Sequence, residues 1–227
     1  MRVKPDPPVG RSVPSHTQCP PAGQRDARHA AHGTHGRPRA AHYLFPMTDI
    51  DLAHRFLERS RYYLGTEYPA KITAAVRTVP ADHLWWRPHD GTNSVGNLLL
   101  HLAGNVRQWV VSGIGGAPDV RHRDGEFAAT GGMEQEALLA HLLEALRDAD
   151  HVLAGLAPSA LGDTRRIQGR ETTVFAALYH VVEHFAGHTG QIILLAKQFT
   201  PRAVRFYDDT GGLAKPLFLP DGGTDVA

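Results

Sequence analysis

The stretch from about Thr172 to Phe199 constrains the fold most. Val174, Leu178, Val181, Phe185 and Ile192 recur so that, at 100° per residue, they cluster within about 40° of one direction. Thr172 or Thr173 supplies a start signal and Pro201 a stop. One long helix with an apolar stripe cannot stand alone; the stripe has to be buried against other helices. The same run carries His180, His184 and His188 at four-residue intervals, and residues four apart sit one turn above another on a helix. Neighbouring imidazoles in such a ladder can chelate one metal ion. Ordinary buried or surface histidines would leave the same pattern.

The wheel separates the three. Measured from the stripe's direction, His188 falls about 40° off centre, His184 about 80° and His180 about 120°. His180 is therefore expected nearest solvent. His180 and His188 are also about 12 Å apart along the axis, too far for one ion held about 2.1 Å from each nitrogen. The expected ligand pair is His184 with His188.

A third ligand has to come from another helix. Ser94 is a good N-cap for a run reaching about Ser112, before Gly113 and Gly115-Gly116. Leu98, Leu102, Val106 and Trp109 make its apolar stripe. Ser94, Asn97, His101, Asn105 and Gln108 make a polar one within about 40° of His101. A solvent face is the plain explanation, but amides and a histidine stand where Lys and Glu would usually face water, which suits a polar pocket. His101 is the best third ligand and His54, on the first helix, a weaker one. Three neutral imidazoles leave an ion its full charge and an open position, suited to Zn, Ni or Fe.

The remaining segments predict an all-α four-helix bundle over residues 47–200. A first helix starts at Thr48, with Asp51 placed for a capping box, and continues to Val79 with a kink near Pro69. Trp85 and Trp86 are expected to plug a bundle end. Residues 113–132 read as a long connection, Met133–Leu156 as the third helix, and 158–170 as a connection, partly extended. His141 and His151 fall among surface positions and carry no expected role. No segment has a convincing strand pattern.

Residues 1–46, rich in Pro, Gly, Arg, His and Ala, are expected to be a disordered extension, with Met47 as the true start; 201–227 are expected to be an extended or disordered tail. The first 46 residues hold seven Lys/Arg and two acids, leaving 17 basic and 21 acidic residues beyond them. That balance gives no basic face for nucleic acid. The single Cys19 lies in the extension, so the domain has no thiol nucleophile or disulfide. With no membrane-length apolar run and no secretory h-region, a cytoplasmic protein is expected.

His180-Val-Val-Glu-His184 matches H-x-x-E-H, a zinc-peptidase pattern with Glu183 as base. The wheel points Glu183 about 180° from the core, so that site would face water.

Asn97-Leu-Leu-Leu-His-Leu-Ala-Gly-Asn105 and His184-Phe-Ala-Gly-His-Thr-Gly-Gln-Ile192 resemble the DinB-like superfamily of four-helix metal-binding proteins. Trp86-Arg-Pro and Arg121-His-Arg-Asp-Gly-Glu-Phe127 resemble one of its branches, and the likeness spans about residues 48–200. It implies a three-histidine site on His101, His184 and His188, and a homodimer. The superfamily includes thiol S-transferases, mycothiol-dependent isomerases and proteins described as metal-dependent hydrolases. The expectation is an enzyme in which the metal activates a low-molecular-weight thiol or water against a small-molecule electrophile. Asn105 and Gln108 would line the pocket and orient the nucleophile; Glu126, Arg121 and Arg123 would bind an anionic group or cover the site. The rival expectation is a non-catalytic stress-related bundle in which the metal or pocket serves binding or dimerisation.

Overall fold

Three of the described helices start on a side-chain cap supplied by the sequence. Thr48 and Asp51 exchange side-chain and backbone hydrogen bonds at the head of α1 (Asp49–Tyr62). Ser94 and Asn97 do the same for α3 (Val95–Val106), and Thr173 caps α6 (Val174–Phe199) through the Ala176 N–H. Between these lie α2 (Tyr68–Val76), α4 (Arg123–Ala128) and α5 (Gln135–Ala154). The computed structural model describes residues 48–200, 204–212 and 214–218. The expectations for the extension and for a start at Met47 lie outside them.

The architecture is an all-α bundle. α1 runs through the π-helical turn Tyr63–Glu67 into α2; this interrupted helix packs against α5 and α6, and α3 packs against the same two helices. Its core is aliphatic: Ile72, Val76, Leu98, Leu99, Leu102, Leu138, Leu142, Leu178, Phe185 and Ile192 are fully buried. Burying such side chains contributes about 1.5–3 kcal/mol each relative to exposure. The five stripe residues singled out on the last helix are all in this core.

Four local features differ from the expectations. The expected kink at Pro69 is a π turn ahead of it: Pro69 sits in the first turn of α2, where its missing N–H costs least, and the wide turn absorbs the mismatch upstream. The second helix ends in another π-helical segment, Arg107–Ile114. The 113–132 connection contains α4, too short for periodicity to reveal. The 158–173 segment forms a hairpin, β1 (Thr164–Ile167) with β2 (Arg170–Thr173), closed by Gln168 and Gly169, both at positive φ (52° and 75°). Such a two-residue turn is the kind Gly permits. In the tail, β3 (Tyr207–Asp208) pairs with β4 (Lys215–Pro216). Trp85 donates to the Met133 carbonyl, and Trp86 stands edge-on to Phe199. Among the described residues no helix is long and apolar enough to cross a membrane.

Asn97 does more than cap. Its Nδ2 donates to the Glu126 and Ala129 carbonyls, both at 2.8 Å, and so fastens α4 across α3. Asn97→Ala removes a reciprocal cap and strands two carbonyls, for an expected loss of about 2–4 kcal/mol. Ser94→Ala should cost about 1 kcal/mol. Urea denaturation of both variants checks the ranking; equal small losses would show that α4 is held by other contacts.

Candidate metal centre

The polar stripe on α3 is buried. Ser94, Asn97, His101 and Asn105 are all at most 4% exposed, because α4 lies over them. A buried histidine needs a partner for each ring nitrogen. His101 Nδ1 lies 3.0 Å from Glu126 Oε2, and a carboxylate only accepts, so Nδ1 carries the proton and Nε2 presents a lone pair. That Nε2 stands 2.9 Å from His184 Nε2. His188 is oriented the same way: Gln191 Oε1 accepts from its Nδ1 at 2.8 Å, leaving Nε2 for the interior.

His101, His184 and His188 thus bring one nitrogen each to within 4.8 Å of one another, and the group could hold a metal ion. The donor set fits a borderline divalent ion: three imidazoles, two with their outer N–H held by an oxygen. Burial, reinforced by the neighbouring His188, His101 and His180, pushes His184 down to about 3; burial also lowers His188. Both are therefore neutral at physiological pH, the form that binds metal.

Glu126 is the hub behind His101. Its Oε1 and Oε2 each accept from Arg121 at 2.7 Å, in addition to the His101 contact. Burial alone would raise the Glu126 carboxyl, but hydrogen bonds from Arg121 and His101 outweigh it and hold it below the usual range. The carboxyl has room because residue 104 is glycine. A Cβ there would collide with Glu126 Oε1.

The other expected site residues fall into three groups. Asn105 is buried one turn beyond His101, with Oδ1 unpartnered among the described residues. Gln108 and Arg121 engage each other: Gln108 Oε1 accepts from Arg121 Nη1 at 2.9 Å and from Gln168 at 2.6 Å, while its Nε2 donates to Asp119. Those contacts place Gln108, Arg121 and Glu126 behind His101 and hold them to one another. Arg123 is exposed and rests over the Phe127 ring, whose far neighbour is His101. His54 is exposed beside Glu58 and takes no part. His180, expected near solvent, is half-buried with its ring 4.3 Å from Trp109, because the indole on the facing helix covers it. Glu183 is exposed, and His180 lies outside the clustered trio, so the H-x-x-E-H arrangement is not assembled.

Sequence reasoning missed Gly104, Gln191, Asp119 and Gln168. Gln191 alone left a usable signal, three residues after His188 on the same helix face.

The fold and site define a class: an all-α bundle whose facing helices bring three histidines together in a group that could hold a metal ion. A family model described as "Protein of unknown function (DUF1572)" matches residues 51–206, and the chain belongs to that family. No curated protein and no solved structure matches the chain.

Holding His184 neutral has a pH consequence without metal. An unfolded His protonates near 6.5 and folded His184 near 3, so the unfolded chain binds more protons between those values. Stability should fall as pH drops through that window. His184→Leu should flatten the dependence by up to about 1.4 kcal/mol per pH unit. Urea midpoints from pH 7 to pH 4 in chelator measure it; an unchanged slope would mean His184 is not held neutral.

Proposed function

We propose that the protein is a metal-dependent enzyme of the DinB-like type, using a low-molecular-weight thiol or water as nucleophile against a small electrophile. The observation that carries this reading is the His101–Glu126–Arg121 arrangement. A buried carboxylate orienting a histidine whose other nitrogen meets two more neutral imidazoles is the second-sphere pattern of a metal ligand. A purely structural histidine would have no need of two imidazole neighbours at its free nitrogen.

His101, His184 and His188 would hold the ion, and Zn, Ni and Fe all suit the donor set. Bound there, a dication with three neutral ligands acidifies a thiol or water towards neutral pH. The chain's own residues do the rest. Glu126 and Arg121 fix the His101 tautomer, and Gln191 fixes that of His188. Asn105 Oδ1, buried and without a partner among the described residues, offers an acceptor one turn from His101 that can orient the nucleophile's proton or an attached polar group. The closed Glu126–Arg121 pair leaves no free carboxylate base among these supports, which favours a thiol: ionisation of a thiol on a metal needs less help than ionisation of water.

Purified protein should contain about one divalent ion per chain, largely lost in His101→Ala and His184→Ala. Glu126→Gln should retain the fold but weaken the metal by about 10–100-fold in competition with a chelating dye. Turnover of a model electrophile with several thiols should require the metal. Metal content unaffected by the histidine substitutions would defeat the site. A bound metal without thiol- or water-dependent turnover would instead favour a non-catalytic metal-binding bundle.

A further inference from the structure

A pocket of about 530 Å³ opens on the other side of the Arg121–Glu126 pair, and none of the three clustered histidines lines it. Leu100, Gly104 and Arg107 lie about 60–120° around α3 from His101, so the pocket and the histidine cluster occupy different faces of that helix. α5 closes it with His141, and the segment before α4 closes it with Val120 and Arg121. Its size falls within the range of small-molecule sites.

Two guanidiniums, Arg107 and Arg121, and the His141 imidazole face this pocket. A guanidinium has five N–H groups. Arg121, with its side chain 4% exposed, spends three: two on the Glu126 oxygens and one on Gln108 Oε1, while its Nη2 also lies 3.1 Å from His101 Nδ1, itself a donor. The second N–H of Nη1 has no acceptor among the described residues. Arg107 uses only Nη2, on Glu144 and Asp148 at the rim, which leaves Nε and Nη1. The half-buried His141 imidazole makes no hydrogen bond to any described residue. The apolar part of the wall comes from Leu100, Val111 and Val120, beside the polar Ser112, His122 and Asp119. Of the two guanidiniums Arg121 is the buried donor, its side chain 4% exposed against 31% for Arg107, and a buried donor favours an acceptor beside it.

We propose that this pocket is a second ligand site, separate from the metal centre, that takes a small apolar molecule carrying one carboxylate. The carboxylate would accept from Arg121 Nη1 and Arg107, with His141 alongside, and the apolar body would lie on Leu100 and Val111. A dianion is disfavoured, because Asp119 lines the same pocket and Glu144 and Asp148 stand at its rim. Arg121 touches both this pocket and His101, so occupancy here reaches the histidine cluster through one side chain.

Benzoate is the probe, titrated into the full-length protein in chelator so that the result does not depend on metal. Isothermal titration should show one saturable site, with benzyl alcohol and inorganic phosphate each binding at least tenfold more weakly. Arg107→Gln, a change at the pocket edge, should weaken benzoate at least tenfold without altering the melting temperature. Val111→Trp, which fills the pocket, should abolish binding. The ring resonances of His101 should move along the same titration curve. Absence of saturable binding, equal binding of benzyl alcohol, or full affinity in both variants would overturn the site. A saturable site that leaves His101 unmoved would overturn the link to the histidine cluster. Neither result bears on whether the histidines hold a metal, which the chelator-dye competition decides separately.

Discussion

A carboxylate taken out of water is stable only if charge and hydrogen bonds replace the lost solvent, and Glu126 is where this bundle meets that demand. Its oxygens are fully engaged by Arg121 and His101, its backbone carbonyl by Asn97, and its space is granted by Gly104. The partners join two elements, α3 and the segment that leads into α4. Asn97 caps α3, Arg121 precedes α4, and His101 faces α6. Remove the ion pair and the polar stripe of α3 has no reason to be covered, α4 has little to hold it, and His101 loses its orientation.

This dependence explains why a short, glycine-containing helix can be stable at all. Six residues cannot sustain an isolated helix in water. α4 persists because the groups that fasten it are also the groups that satisfy the stripe beneath, so its folding and the burial of His101 are one event. It also explains the economy of donors around Arg121. Three of five N–H groups are committed inside the protein, which makes the guanidinium a rigid part of the wall.

Periodicity exposed the bundle because its helices are long and their stripes lead into one core: Val174, Leu178, Val181, Phe185 and Ile192 were readable as a set. The histidine trio was legible for the same reason, since 100° per residue separates His184 and His188 from His180. What the sequence could not display were relations across elements. Nothing in Arg121-His-Arg-Asp-Gly-Glu-Phe127 says that Glu126 turns inward to His101 while Arg123 stays outside on Phe127. Gly104 looked like any helical glycine until a carboxylate was found against it. Gln108 read as a pocket amide because its angle on the wheel was right, yet the π-helical segment beginning at Arg107 widens the turn there and hands it to Arg121 and Gln168.

The hairpin between α5 and α6 takes on another meaning from that last contact. Its tip residue, Gln168, reaches back to Gln108, which holds Arg121. In most helical bundles such a connection is a spacer, free to lengthen or to accept inserted sequence. Here the tip is tied by a chain of side chains to the buried ion pair. Variation in this loop among proteins built on the same plan is therefore constrained from within, and a graft at the Gln168-Gly169 turn would be felt in the orientation of a histidine two helices away.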